Sequence, residues 1–291
     1  MRHERPWKIE WPTGSTPVPA RAIIDDAAYV GTIPQHYHRG IGPFLFEPFA
    51  RHTAERIETR APKVVLETAC GTGIVTRRLR EALPRDSLLV ASDLNEPMLA
   101  VARHTVGTGA DVAWARANMC DLQFGDAGFD TVVCQFGLMF VRDKLAAVRE
   151  ARRMLKLGGR FLVTTWAPLD RNPIVGLAHR TLGAMFPEDP PQYLARAPFG
   201  HGDPDALADL LVAGGFRDVV VDVVEKAASS PSAHELAVGL IEGYPLIHEI
   251  KLRGEARLPE AVAAVAKAIG RQFGEAPVKA QITALVASAA A

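Results

Sequence analysis

Several features are scarce or missing in this chain of 291 residues, and each narrows what it can be. There are only three cysteines (Cys70, Cys120 and Cys134), and none forms a C-x-x-C pair. That spacing excludes a disulfide framework or a zinc knuckle and fits reduced thiols in the cytoplasm, the expected location. Charge of either sign is not in excess: Lys plus Arg is 33 and Asp plus Glu is 33, a formal net charge of zero. A chain with no basic surplus is not expected to bind nucleic acid. No run of about 18 apolar residues is present, so no membrane span is expected. The opening stretch MRHERPWKIEWPTGSTPVPAR lacks the apolar centre of a secretory signal. Repeats and low-complexity tracts are absent too, the Ala-rich tail being the nearest case. What remains is ordinary globular composition, 48% apolar and 23% charged, of a length suited to one domain with insertions.

Residues 1–28 are rich in Pro and charge and read as an arm, with the domain proper over 29–291. Helical signals begin near Pro34. Phe46, Phe49, Ala50, Thr53 and Ile57 recur at helical spacing, with Pro43 suited to the first turn of that helix. From residue 63, short apolar runs alternate with amphipathic stretches. The runs are Lys63–Glu67, Ser87–Ser92, Val112–Ala117, Phe129–Cys134 and Arg160–Thr165. Several are apolar throughout, as expected of strands covered on both faces. Helices are expected over Ile74–Ala82, Glu96–His104 and Asp143–Leu155, the last capped by Asp143 and stopped by Gly158–Gly159. The alternation predicts an α/β fold with a doubly wound, mostly parallel sheet. Later signals predict a helix from Asp203–Pro204 to Gly214–Gly215, a strand over Arg217–Val224, a helix capped by Ser232, another through Phe273, and a strand over Val278–Ser288. The core is therefore expected over 60–166, 203–226 and 276–291. Segments 29–58, 167–202 and 229–273 are left to cover the carboxyl edge of the sheet as a lid.

The sharpest local feature is VVLETACGTGIVTRRL, a strand, a loop with Gly71 and Gly73, and a helix. Glycine permits the positive φ and close backbone approach that a ligand at a strand's carboxyl end needs. A dinucleotide fingerprint would require a third glycine where Thr76 stands. Asp93 closes the second apolar run and is placed either to accept from a ribose diol or to cap the next helix. Asn118 closes the third run. Its amide oxygen can accept from an adenine amino group, and the N–H of Met119 or Cys120 can donate to a ring nitrogen.

These motifs resemble those of class I S-adenosylmethionine-dependent methyltransferases, of the small-molecule branch (methyltransferase type 11) that includes quinone-biosynthesis enzymes. The resemblance rests on E-x-x-x-G-x-G at Glu67, Gly71 and Gly73, on SDLNEPML at 92–99, on FDTVVCQFGLMFVRDK at 129–144 and on LKLGGRFLVTTW at 155–166. It implies a Rossmann-like seven-stranded sheet with the last strand antiparallel, and S-adenosyl-L-methionine as cofactor. It also implies that Glu67, Thr68, Ala69, Gly71, Thr72 and Gly73 hold the methionine end. Asp93 would hold the ribose, and Leu94 and Met98 the adenine face. Asn118, Met119 and Cys120 would line the adenine edge, and Gln135 and Phe136 would lie beside the sulfonium. Asn118 stands where the family commonly has Asp, which makes that contact neutral.

The acceptor is expected to be a small, fairly hydrophobic molecule, because the N-P-P-Y motif of amino-methylating nucleic-acid enzymes is absent and the lid segments are apolar. Candidate groups near the acceptor are Tyr37, His38, Gln135 and His179, with His36 and His201 as further histidines outside the core motifs. Trp166 reads either as a pocket wall or as core. Cys134–Gln135 resembles part of a P-C-Q nucleophile motif, but Val133 replaces the Pro and Cys134 sits in an apolar strand, so it reads as a buried thiol. Two rival readings stay open: a nicotinamide-dependent oxidoreductase, and a methyltransferase-like binding protein without turnover. The acceptor atom and the oligomeric state are not legible.

Overall fold

The structure, a computed structural model, describes residues 26–291. The arm expected over 1–28 therefore lies outside the described residues except for its last three.

Seven strands form one sheet in the order β3-β2-β1-β4-β5-β7-β6. They are β1 (Val64–Glu67), β2 (Leu88–Asp93), β3 (Val112–Arg116), β4 (Phe129–Gln135), β5 (Leu155–Trp166), β6 (Arg217–Ser230) and β7 (Val278–Ala290). The first five are parallel, and β7 runs antiparallel between β5 and β6. The apolar runs divide by pleat: Val133 packs into one core, while Val132 and Cys134 pack into the other. This is why those runs show no polar alternation. Helices α3 (Ile74–Ala82), α4 (Glu96–Val106), α5 (Lys144–Met154) and α8 (Pro204–Ala213) connect the strands. Asp143 caps α5 by accepting from the Ala146 N–H at 2.9 Å, Asp203 caps α8, and Ser232 caps α9 (Ala233–Glu242). Each of these three caps follows the sequence signal.

Two expectations need correction. The first is that Gly158–Gly159 ends a helical stretch: β5 instead begins at Leu155, directly after α5, and Leu155 pairs with Phe129. Gly158 sits inside that strand at φ +76°, where the chain kinks, so the glycines mark an irregularity in a strand and not a helix stop. The second concerns Pro43. It does not open a helix. Helix α1 (Ile33–His36), a wide-turned stretch (Tyr37–Phe46) and α2 (Glu47–Glu58) run on without a break, and Pro43 lies inside the wide stretch. There the Glu47 N–H reaches back five residues to the Gly42 carbonyl, the widened spacing of a π-type turn. The extra room accommodates a proline that lacks an N–H.

Between β5 and β6 lie α6 (Pro173–Met185), α7 (Tyr193–Arg196) and α8. Between β6 and β7 lie α9, α10 (Leu246–Leu252) and α11 (Arg257–Phe273). The wide stretch crosses α9 backbone to backbone, with Gly40 against Gly239. A Cβ on Gly239 would lie 2.6–2.7 Å from backbone atoms of Gly40 and Ile41, so glycine is required by proximity alone. Gly239→Ala is expected to destabilise the protein by about 1–3 kcal/mol, the usual cost of overpacking, in urea unfolding. Gly109→Ala, with nothing within 4 Å of the added carbon, is expected to stay within about 0.5 kcal/mol.

Candidate functional site

The strand order reverses between β1 and β4, so their carboxyl-end loops part and leave a crevice. Two glycines let the loops approach there. A Cβ on Gly137 would lie 2.4 Å from that of Ala69, so the turn after β4 can lie on the loop after β1 only without a side chain. Gly71, at φ +56°, has nothing within 4 Å on its open side. Ala69 and Phe136 also hold positive φ (52° and 57°), an uncommon strain for residues with a side chain. A cavity of about 380 Å³ opens at this point, within the range of small-molecule sites. A smaller chamber of about 40 Å³ adjoins it and shares Tyr37, Ala69, Gly71 and Phe136 with it.

Asp93 lies at the centre. It is 6% exposed, and its carboxylate accepts from the Gly71 N–H at 2.9 Å and from the Asn95 N–H at 2.8 Å. Burial raises its pKa, and those backbone donors oppose the rise. The cap of α4 is Asn95, so Asp93 is not the helix cap. Its Oδ1 also accepts a longer bond from Asn95 Nδ2 at 3.5 Å, and the residue lines the cavity. Asn118, Met119 and Cys120 line the same cavity with Leu94 and Met98. Asn118 Oδ1 already accepts from the Cys120 N–H at 3.0 Å. That removes Cys120 as a free backbone donor and leaves Met119 from the expected pair.

The loop after β1 divides its labour. Thr72 lines the smaller chamber, and its hydroxyl bonds His38 Nδ1 at 3.0 Å. Thr68 is buried with its hydroxyl donating to the Val133 carbonyl, and Gly73 serves packing, since a Cβ there would meet Ala102 at 3.0 Å. Neither lines the two chambers. Glu67 is buried behind the loop with Oε2 lacking any partner. Burial pushes its carboxyl up to about 8, with the Asp93 charge adding to the rise. The Thr76 hydroxyl is near enough to oppose the rise but makes no hydrogen bond of normal geometry.

Of the three segments expected to cover the carboxyl edge, only 29–58 lines the chambers, through Tyr29, Tyr37 and Phe46; no residue of 167–202 or 229–273 lines either one. Tyr37 lines both chambers. Ala27 and Tyr29 also line the larger one, and their place was hidden because they sit at the edge of an arm without periodicity. The Ala27 carbonyl accepts from Asn95 Nδ2 at 2.9 Å, and Asp26 pairs with Arg196. Phe140 and Val141, inside the motif after β4, continue the wall, followed by Arg142 and Asp143. The histidines do not line the larger cavity. His36 faces Glu242, His38 bonds the outer side of the glycine loop, and His179 and His201 line neither chamber. Trp166 is a core residue, 1% exposed, stacked on Phe136 at 4.0 Å and on Phe199 at 5.3 Å. Gln135 lines only the smaller chamber, with both ends of its amide bonded to protein. Burial pushes the Cys134 thiol up to about 11, which makes it unreactive.

The donor set fits S-adenosylmethionine on the structure's own terms. A buried carboxylate lines the cavity at a strand end and a glycine loop offers open space, while Glu67, whose buried Oε2 has no partner, lies just before that loop and lines neither chamber. Among the described residues, no group of His, Cys, Asp and Glu suits a metal ion, and no helix is long and apolar enough to cross a membrane.

Comparison with known proteins gives the same direction. Residues 65–159 match the family model described as a methyltransferase domain. The chain is 33% identical over 179 residues to the ubiquinone/menaquinone biosynthesis C-methyltransferase UbiE of Hahella chejuensis, covering 57% of this chain and 72% of that one. It is also 33% identical to UbiE of Shewanella frigidimarina, covering 58% of this chain and 72% of that one. Among solved structures, a putative methyltransferase of Bacillus halodurans superposes with a TM-score of 0.54 at 17% identity, over 82% of this chain and 97% of that one. A phosphoethanolamine N-methyltransferase of Haemonchus contortus, solved with S-adenosylhomocysteine, superposes at 0.57 and 18% identity, over 92% of this chain and 59% of that one.

Glu67 sets a pH signature for the free protein. Its pKa rises from 4.5 to about 8 on folding, so the folded state holds this proton more tightly than the unfolded chain. Its contribution to stability is full below about pH 4.5 and is lost as pH rises towards 8. Glu67→Gln stays neutral throughout. The parent-minus-variant stability, from urea unfolding at a series of pH values, should fall across that window and level off above it.

Proposed function

The chain belongs to the class I S-adenosylmethionine-dependent methyltransferases of the quinone-biosynthesis type, and from that premise we propose which of its residues hold the cofactor and what kind of acceptor it takes. S-adenosylmethionine is the cofactor, and the reaction is methyl transfer to a small acceptor. When bound, it supplies a sulfonium methyl already activated for displacement. The protein's task is then to orient two partners and exclude water, effects that can lower a barrier by up to roughly 7–11 kcal/mol.

In this reading Asp93 accepts from the ribose hydroxyls while keeping the Gly71 N–H. The ring of Asn118, Met119, Leu94 and Met98 takes the adenine, and Met119 offers the remaining backbone donor. The methionine end lies over Ala69, Gly71 and Thr72, with Glu67 behind. Tyr37 walls the transfer point with Phe136. The observation that carries the reading is the shared lining of one cavity by Gly71, Asp93, Asn118 and Tyr37, which come from three consecutive strand ends and the lid.

The acceptor we propose is a small, fairly hydrophobic ring compound. Support comes from the aromatic walls at Tyr29, Tyr37, Phe136 and Phe140, and from relatives named for C-methylation in quinone biosynthesis. No histidine lines the larger cavity, so the acceptor has to present its own electron-rich atom without a histidine base. The nicotinamide-dependent alternative is disfavoured by Thr76, which is fully buried where a third glycine would sit. The cytoplasm is the compartment that fits the three free cysteines, and zero net charge supports a partner other than nucleic acid.

S-adenosylhomocysteine at 100 times its dissociation constant should stabilise the protein by about 2.7 kcal/mol in thermal unfolding. Asp93→Ala removes charge-assisted hydrogen bonds worth about 1.5–3 kcal/mol each and frees the glycine loop. Calorimetry should therefore record at least a tenfold loss of affinity, with the far-UV spectrum unchanged. Affinity within a factor of two of the parent would remove Asp93 from the ribose site.

A further inference from the structure

Gln135 ends β4, where a free amide would face the cofactor, but its side chain turns into the junction between the sheet and the lid. It is 8% exposed. Its Oε1 accepts from Thr53 Oγ1 at 2.8 Å, and its Nε2 donates to the Phe46 carbonyl at 3.3 Å. Phe46 and Thr53 lie two helical turns apart on the same lid helix, so one amide fastens both turns to the end of β4.

The point of attachment has leverage. Phe46 is the last residue of the wide-turned stretch. The backbone changes there from five-residue to α-helical hydrogen bonding, and Pro43 and Pro48 have no N–H to give. The Phe46 ring stacks on Tyr37 at 4.6 Å with planes 16° apart, and meets Phe136 edge-on at 5.4 Å. Tyr37 and Phe136 are the two rings shared by both chambers. A shift of the Phe46 backbone is passed to Tyr37 through direct ring contact.

We propose that Gln135 is a positioning residue for methyl transfer: it grips the lid at Phe46 and Thr53, and so fixes the Tyr37 ring against the transfer point. The proposal rests on the reading of Tyr37 as a wall of that point.

The test uses full-length protein grown with 3-fluorotyrosine and saturated with S-adenosylhomocysteine. The sequence has four tyrosines, so four fluorine signals are expected, with Tyr37 assigned by Tyr37→Phe. Gln135→Met keeps length and removes both hydrogen bonds. The Tyr37 signal should shift and broaden. The Tyr193 signal, anchored by the Tyr29 hydroxyl and the Asp26 carbonyl, should stay. The dissociation constant should change less than threefold. Thr53→Val removes one bond of the two and should move Tyr37 the same way by less, which keeps the test available if the methionine variant does not fold. Gln135→Glu adds a pH signature. Its protonated carboxyl can donate to Phe46 and accept from Thr53, whereas the carboxylate cannot donate. Relative to the parent at each pH, its Tyr37 signal should be parent-like at low pH and move toward the methionine variant's as pH rises. An unmoved Tyr37 signal in all the variants would overturn the proposal. So would a tenfold loss of affinity with Tyr37 unmoved, which would make Gln135 a cofactor contact. The fluorine signals report the ring's position whatever Tyr37 contributes to turnover, so failure of the underlying reading would be seen separately, in the activity of Tyr37→Phe.

Discussion

The carboxylate of Asp93 takes one backbone N–H from the loop after β1 and another from its own loop after β2. Burying a charge is costly unless it is hydrogen-bonded, and these two donors meet that need while setting the positions of two loops at once. The consequences spread outward. Fixing Gly71 fixes the glycine loop, whose Thr72 then meets His38 of the lid. Asn95, placed next to Asp93, sends its side chain to the Ala27 carbonyl, which draws the residues before the lid over the cavity. The group that ties two strand-end loops together therefore also builds the walls of the cavity it lines.

Above that floor the lid is held by close packing and by rings. Gly40 against Gly239 and Tyr37 against Gly243 bring α9 and the wide stretch into backbone contact. All four tyrosines of the chain, Tyr29, Tyr37, Tyr193 and Tyr244, gather in one cluster. Charge adds a clasp on the outer side, where Glu47 of the lid meets Arg77 and Arg78 of α3. Partly exposed pairs of this kind contribute little individually. The lid's position depends mainly on shape, and a segment held by shape can open as a unit when its few anchors release.

The sheet was legible because strands buried on both faces leave continuous apolar runs such as Phe129–Cys134, and because glycines and an acid at strand ends have few other uses. The tail strand and the caps at Asp143, Asp203 and Ser232 were legible for similarly local reasons. What was not legible depends on contacts distant in sequence. The wide turn around Pro43 is tolerated because α9 and α3 enclose it, and nothing in HRGIGPFLF announces a five-residue hydrogen bond. Gln135 reads as a cofactor contact from its place after β4, yet its partners are 82 and 89 residues away. Cys120 looked like a free backbone donor until Asn118, two residues earlier, claimed its N–H. Gly158–Gly159 reads as the stop of a helix ending at Leu155 because paired glycines commonly are one, but pairing of Leu155 with Phe129 makes the segment a strand.

The central claim is that a single carboxylate both shapes the cavity and reads the cofactor, beneath a lid that puts Tyr37 at the transfer point. A crystal structure of the complex with S-adenosylhomocysteine tests it most directly. The account predicts both ribose hydroxyls within hydrogen-bond distance of Asp93, the Gly71 N–H still on that carboxylate, and the Tyr37 ring in contact with the ligand beside its sulfur. A ribose bound away from Asp93, or a ligand that leaves Tyr37 untouched with the lid in place, would contradict it.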